Sequence, residues 1–284
     1  MLAEIFKKPK PILGKIQLLA LPGAPGWEGH WETLIMRAEQ EAAALATGGV
    51  DGLIIENFHD IPYTAGRMDV AGAIAMALLT KRLKHFTALP VGISVLCNDP
   101  ETALAISMNV QADFMRVSVL TGALMTDGGI VNSRLNELLH YKNHLKVKLP
   151  PLLVDISHAH MVPGIAGSKS PDQHLIDAIL TLPDNQDRIF LALSDRELSK
   201  EALSELKQKV AFPILIENEG GPEVAEAYFD LADGLILDGE IRKNSILHPE
   251  LTPTIDMARV ETLVNKLRRI PPVSEMNPEL FLNR

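Results

Sequence analysis

Short runs of Ile, Val and Leu alternate along the chain with longer segments whose apolar residues recur three and four positions apart. The short runs end in Gly, Asn, Asp or Pro and predict strands, whereas the longer segments predict helices. The eight expected strands lie at 12–21, 52–57, 90–96, 114–119, 150–157, 188–194, 213–218 and 234–238. The expected helices lie at 30–46, 70–86, 132–145, 200–209, 223–231 and 255–269. Of two further helices, one is expected to begin at Asp99-Pro100 and the other to end near Leu182.

Eight strand–helix units in one run predict a parallel sheet with helices packed outside it. Eight is also the number of strands that closes a barrel whose interior side chains can fill. A doubly wound open sheet is the alternative, but it carries a glycine-rich turn after its first strand. Here that turn is LPGAP at 21–25, and its prolines lack the amide donors that such a turn needs. The chain is therefore predicted to be a single (β/α)8 TIM-barrel domain over 1–270 with a proline-containing tail, 271–284.

Charge and composition narrow the function. The 284 residues include 27 basic and 36 acidic side chains, a formal net charge of −9. Nucleic-acid binding needs clustered Lys and Arg, so DNA and RNA are not expected partners. One cysteine cannot form an internal disulfide. The sequence shows neither a segment that resembles a signal peptide nor an apolar run long enough to cross a bilayer. We expect a cytoplasmic protein without a transmembrane segment.

Candidate chemistry lies where polar residues interrupt the predicted strands. A barrel strand is covered on both faces and should be apolar, and barrel enzymes place their catalytic groups at the carboxyl ends of the strands. These polar positions indicate either a ligand pocket at the barrel mouth or a network of buried ion pairs that holds the mouth together. The polar residues within strands are Gln17, Glu56, Asn57, Arg116, Ser118, Asp155, Glu217, Asn218 and Asp238.

In the pocket interpretation, Arg116 anchors an anionic group of a small molecule. Glu56 or Asp155 is the candidate general base, provided that burial adjusts its pKa. The predicted strand ends carry no lysine, which disfavours Schiff-base chemistry.

Other candidate groups are weaker. His158 and His160 follow the fifth strand and could share a metal, yet the site would need two further ligands, so a loop histidine that binds a ligand is favoured and no metal or cofactor is predicted. Cys97 has no neighbouring base and is expected to be a packed thiol. The turn at 219–222 could bind phosphate at a helix N-terminus, although Asp238 and a neighbouring glutamate would repel it.

Four motifs in order resemble the BtpA/SgcQ family over the first half of the chain, to about residue 140. The segment GGVDGLIIENFHDIPY at 48–63 is similar to the family signature GGVDGxxxENFxDxPF. LALPG at 19–23 resembles LxPLPG, and PVGISVLCND at 90–99 resembles PVGxNVLRND. FMRVSV at 114–119, followed by a glycine and DGG at 127–129, resembles FIRVNVxxG and DxG. The second half departs from the family pattern, matching it at Asp155 and His160.

The resemblance implies a phosphate-binding type of barrel. It also implies a photosystem I biogenesis factor attached peripherally to the cytoplasmic side of thylakoids, with photosystem I subunits or assembly factors as partners. Two alternatives stay open: a metabolic enzyme acting on a small sugar-like or nucleoside-like, phosphorylated substrate, and a non-catalytic scaffold with a degenerate pocket. The expected ligand-binding residues are Asn57, Asp60, Asn98, Arg116, His160 and Glu217.

Overall fold

The eight expected strands close into a parallel barrel in a computed structural model, which describes residues 1–63, 66–96, 98–126, 129–156, 188–196, 199–243 and 253–269. The barrel strands are β1 Ile12–Gln17, β2 Gly52–Glu56, β3 Val91–Ser94, β4 Phe114–Val117, β7 Leu152–Asp155, β8 Ile189–Ser194, β9 Ile214–Asn218 and β10 Gly234–Leu237. Each strand pairs with its neighbours in chain order, and β10 pairs with β1 to close the ring. The predicted fold class is confirmed.

Helices follow the strands as the apolar periodicity predicts. Four begin at a side-chain cap: Asp69, Asp99, Ser199 and Asp256 each accept a hydrogen bond from an amide in the first turn. The helices are α1 Leu2–Phe6, α2 Trp31–Thr47, α3 Val70–Thr87, α4 Pro100–Val110, α5 Leu135–Leu145, α6 Lys200–Lys209, α7 Pro222–Phe229 and α8 Met257–Arg268, with a 3-10 turn at Gly239–Ile241.

Two elements differ from the sequence-based expectation. The segment after β4, where the sequence predicts neither a strand nor a helix, forms a hairpin of β5 Ala123–Thr126 and β6 Gly129–Asn132. The chain also begins with α1, which is too short to show helical periodicity. The expected helix ending near Leu182, Cys97 and the tail 271–284 lie outside the described residues.

The lower half of the barrel interior is apolar and is closed by α1. Leu2 and Phe6 of this helix pack among strand residues that face inward at the amino end of the barrel. The Phe6 ring lies edge-on to Phe114 at 5.4 Å and to Phe190 at 6.1 Å, between ring centroids. Such edge-to-face pairs add to the hydrophobic stabilisation of burying three rings.

Glycines make room for this aromatic layer. A side chain at Gly92 would overlap the Phe114 ring, and one at Gly52 would come within 2.9 Å of the Phe6 ring. The strand glycines therefore have a packing reason, because each lets a ring occupy the space that a methyl group would take.

A repeated ion-paired aspartate fixes the amino end of the strands. In three places an aspartate just before one strand accepts the amide of the first residue of the preceding barrel strand, and also pairs with a helix cation. These sets are Asp51 with Ile12 and Arg268, Asp113 with Val91 and Lys84, and Asp233 with Ile214 and Lys207.

Within the described residues, no helix combines the length and the apolar character that crossing a bilayer would require.

Replacing Phe6 by Ala is expected to lower the free energy of unfolding by about 3–5 kcal/mol, because it removes the ring that closes the barrel and leaves a cavity. Urea denaturation measures the change. Phe86, which is 54% exposed, is the control, and Phe86→Ala should stay within about 0.5 kcal/mol of the parent. Equal losses in the two variants would contradict the role of α1 as a cap.

Candidate functional site

Inside the barrel, the inward-facing side chains change from apolar to charged in the layer next to the aromatic layer, on its carboxyl-end side. Strand pairing aligns Gln17 with Glu56, Glu56 with Ser94, and Ser94 with Arg116, so these residues lie side by side around the ring. The charged layer, as we name it, lies at the carboxyl ends of the strands. It consists of Lys15, Gln17, Glu56, Ser94, Arg116, Asp155, Glu217 and Asp238.

Arg116 is the centre of the charged layer. Its Nε donates to Asp155 Oδ1 at 2.8 Å and its Nη1 to Glu56 Oε1 at 3.1 Å, while its Nη2 donates to Glu217 Oε2. Burial acts to lower the pKa of this guanidinium, but the three carboxylates prevail and hold the pKa well above its ordinary value. The four residues that the sequence singled out on β2, β4, β7 and β9 are thus brought together. The guanidinium binds protein carboxylates on three of its nitrogens.

Lys15 is a member of the layer that sequence reasoning missed. Its Nζ lies 2.7 Å from Asp238 Oδ2 and 3.6 Å from Glu56 Oε2, and it donates to Glu217 Oε1. The missed signal is its position in β1, two residues before Gln17 and therefore on the same inward face. The strand ends themselves carry no lysine, but Lys15 reaches the charged layer from within β1.

The surrounding carboxylates bear on what Lys15 can do. Burial opposes charge on its amine, yet Glu56, Glu217 and Asp238 together raise its pKa above the ordinary value. A Schiff-base lysine must be neutral to attack a carbonyl group. The raised pKa of Lys15 favours its protonated form, which disfavours Schiff-base chemistry at this residue as well.

Two carboxylates of the layer differ in their affinity for protons. Burial raises the pKa of Asp155 to about 6, with Arg116 opposing the shift. Burial also acts to raise the pKa of Glu217, but Arg116 and Lys15 reverse the effect and lower it to about 2. Opposite shifts in neighbouring acids are typical of sites that separate an acid–base group from a permanent anion.

These shifts have opposite effects on stability. The pKa of Asp155 is raised in the fold, so its stabilising contribution is complete below its ordinary pKa of about 4 and is lost as pH rises through about 6. The pKa of Glu217 is lowered, so its contribution is present above its ordinary pKa and is lost as pH falls towards about 2.

Arg242 supports the charged layer from behind β1. Its Nε donates to Asp238 Oδ1 at 3.1 Å and its Nη2 to the Lys15 carbonyl at 3.1 Å, while Nη1 donates to Glu41 Oε1 at 3.0 Å. Gln17 Nε2 also donates to both Asp238 oxygens, at 3.0 and 3.1 Å. The network therefore runs from the barrel axis out to α2.

The polar residues of the family-like ENFHD motif join the loops at the mouth. Asn57 accepts the Leu96 amide at 2.8 Å and donates to Asp60 Oδ2 at 2.9 Å. Asp60 Oδ1 accepts the Leu21 amide at 2.8 Å. These bonds connect the segments after β1, β2 and β3, and Asn57 and Asp60 line a cavity of about 240 Å³ there.

Asn98 has a similar structural task. Its amide group exchanges hydrogen bonds with the backbone of Val119 at 2.9 and 3.0 Å and donates to the Asn132 carbonyl at 3.0 Å. It thereby fixes the entry and exit of the β5–β6 hairpin. His158 and His160 lie outside the described residues, and within the described ones no cluster of three His, Cys, Asp or Glu is arranged to hold a metal.

Replacing Arg116 by Met is expected to lower the free energy of unfolding by about 3–5 kcal/mol at neutral pH, because three buried carboxylates lose their shared cation. The loss should shrink towards about pH 5, where those carboxylates can take up protons instead. Chemical denaturation at both pH values tests this. Arg82→Met, which breaks an exposed pair with Glu39, should change the transition little at either pH, and a pH-independent loss in Arg116→Met would contradict the account.

Comparison with known proteins agrees with the motifs. The photosystem I biogenesis protein BtpA of Synechocystis sp. is 33% identical over 95% of this chain and 93% of its own length. An uncharacterized protein of Methanocaldococcus jannaschii is 31% identical over 93% and 98%. An uncharacterized mitochondrial protein of Caenorhabditis elegans is 25% identical over 94% and 98%.

Among solved structures, dihydropteroate synthase from Anaplasma phagocytophilum superposes with a TM-score of 0.58 at 11% identity, covering 92% of this chain and 99% of that one. Phosphoribosylanthranilate isomerase from Pyrococcus furiosus gives 0.52 at 12%, covering 92% and 100%. At such low identity these similarities support the barrel fold alone. The BtpA family model matches residues 8–269, and the chain belongs to the BtpA family.

Proposed function

We propose that this protein is an enzyme that binds a small, hydroxyl-rich metabolite, of the sugar or nucleoside type, at the barrel mouth. The observation that carries the proposal is the state of Asp155. It has a pKa of about 6, within the range where a general base works near neutral pH. Its side chain is 18% exposed, against 3% for Glu56 and 9% for Glu217, so it is the most accessible of the carboxylates around Arg116.

The charge of the layer favours a ligand that donates hydrogen bonds. The charged layer holds four carboxylates and two cations, Lys15 and Arg116, and each cation already contacts three of the carboxylates. An added anion would find no unpaired cation here, whereas hydroxyl or amino groups would find carboxylate oxygens. This modifies the role expected from sequence for Arg116, which becomes the residue that orients Asp155 and lowers the pKa of the neighbouring Glu217.

In the proposed mechanism Asp155 accepts a proton from the substrate and returns it in a later step. Arg116 donates to Asp155 Oδ1, which fixes the direction of the carboxylate and stabilises its ionised form. Glu56 is the more buried and is shared by Arg116 and Lys15, so we assign it a positioning role. The dry aromatic layer beneath excludes water from below and strengthens these interactions.

Thermal unfolding of the purified chain against a panel of free sugars, amino sugars and nucleosides tests the site. A ligand at about 100 times its dissociation constant stabilises by about 2.7 kcal/mol, which raises the midpoint by roughly 4–5 °C in a chain of this size. Asp155→Asn should retain the shift and lose turnover of the bound compound. In the parent the rate should rise as pH passes about 6, when Asp155 ionises.

The control for this panel is Asp113→Asn, which alters a carboxylate at the opposite end of the barrel and should keep both binding and turnover. Full turnover by Asp155→Asn would remove the proposed base. A chain that no compound stabilises would favour the scaffold alternative, in which the charged layer serves structure alone.

Photosystem I biogenesis is the second candidate, and the 33% identity to the Synechocystis protein over 95% of the chain favours it. Relatives of comparable length in an archaeon and an animal, which do not photosynthesise, favour a shared chemistry beneath any such role. The two candidates are compatible if the barrel's reaction supports photosystem assembly at the thylakoid surface.

Deleting the gene in a photosynthetic host should lower the ratio of photosystem I to photosystem II, measured by low-temperature fluorescence. Re-expression of the parent chain should restore the ratio, and Asp155→Asn should not if the role requires catalysis. Restoration by Asp155→Asn would separate assembly from chemistry. An unchanged ratio in the deletion strain would reject this candidate.

A further inference from the structure

The turn between β9 and α7 has the form of an anion cradle. Glu219, Gly220 and Gly221 present successive backbone amides just before the first turn of α7. Amides in such a turn, at the positive end of a helix dipole, attract anions. In (β/α)8 barrels a substrate phosphate often lies at the loops after the seventh and eighth strands, which here are β9 and β10.

A carboxylate of the protein already fills this cradle. Asp195, in the segment after β8, accepts at its Oδ2 the amides of Glu219 at 3.0 Å and Gly220 at 3.1 Å. The same oxygen accepts Asn218 Nδ2 at 2.8 Å. Three N–H donors therefore converge on one anionic oxygen, as they would on an oxygen of a bound phosphate.

Two further carboxylates border the cradle. Glu219 lies in the turn itself, where it accepts the Ser194 hydroxyl at 3.2 Å and pairs with Arg196 at 3.2 Å. Glu240, in the 3-10 turn after β10, places its Oε1 3.6 Å from the position that a Cβ on Gly221 would take. A phosphate arriving here would have to displace Asp195 and tolerate both neighbours.

The unused polar atoms are acceptors as well. Within the described residues, Asp195 Oδ1 and Asn218 Oδ1 are buried and accept no hydrogen bond. A ligand group that reached them would have to donate, as a hydroxyl or an ammonium does and a phosphate dianion does not.

We propose that Asp195 is a specificity-determining residue whose carboxylate occupies the phosphate position of the barrel, so that the mouth takes unphosphorylated ligands. The inference rests on the proposed function for the identity of the substrate, and it narrows that substrate to the free rather than the phosphorylated metabolite. The occupied cradle itself can be tested without knowing the substrate.

The probe is inorganic phosphate, added to the full-length chain and compared with chloride at equal ionic strength. Thermal unfolding of the parent should show no specific shift. Asp195→Ala leaves the amides of Glu219 and Gly220 without their acceptor and leaves Asn218 Nδ2 with the Gly221 carbonyl alone, so phosphate should refill the cradle. At about 20 times its dissociation constant, phosphate would raise the midpoint by roughly 3 °C.

The matched control is Asp233→Ala. Asp233 also accepts a backbone amide and pairs with a lysine, but at the amino end of the barrel, so its variant should gain no response to phosphate. Asp195→Ser is made in parallel, because its shorter side chain also vacates the cradle and serves if the alanine variant fails to fold.

Three outcomes would overturn the proposal: a phosphate shift in the parent as large as in the Asp195 variants, an equal shift in Asp233→Ala, or folded Asp195 variants with no shift. None of these depends on the sugar and nucleoside panel. Failure of the panel with a positive phosphate result would therefore reject the proposed function and keep the account of the cradle.

Discussion

The interior of this barrel depends on the cost of keeping one guanidinium out of water. A buried ion loses several kcal/mol of hydration, so Arg116 is stable only where carboxylates surround it. Three of them do, and their own excess charge requires Lys15 as a second cation. Lys15 also pairs with Asp238, Asp238 pairs with Arg242, and Arg242 pairs with Glu41 on α2. Neutralising a single side chain thus organises the upper half of the barrel.

The apolar lower half makes that organisation possible. Phe6, Phe114 and Phe190 fill the amino end of the barrel. They fit because Gly92 has no side chain that would overlap the Phe114 ring. With no water entering from below, the charges above interact in a medium of low polarity, where pairing is strong and pKa values move. Burial raises the pKa of Asp155 and acts to raise the pKa of Glu217 as well, but Glu217 contacts both Arg116 and Lys15, and these two cations lower its pKa.

Most of the fold and the centre of the site could be predicted from the sequence, because burial leaves a local pattern. Charged residues inside otherwise apolar strands identified Glu56, Arg116, Asp155 and Glu217. Lys15 carries the same local signal, a charge in an apolar strand two residues before Gln17, but it lies within β1 and not at its carboxyl end. The pairings themselves could not be predicted, since partners such as Lys15 and Glu217 lie 202 positions apart and meet only when the ring closes. The same holds for Asp195, because its hydrogen bonds to the amides of Glu219 and Gly220 join residues 24 and 25 positions apart.

The closure of the barrel by α1 has a consequence for how a substrate would enter and a product would leave. Among the described residues, α1 and three aromatic rings close the amino end of the barrel, so a ligand would enter from the carboxyl end of the strands. Substrate and product would then share that end, so a product that dissociates slowly would block binding of the next substrate. A partner protein could detect whether a ligand is bound by contacting the loops that follow the strands. Chemistry and assembly, if this protein does both, would then compete for one surface.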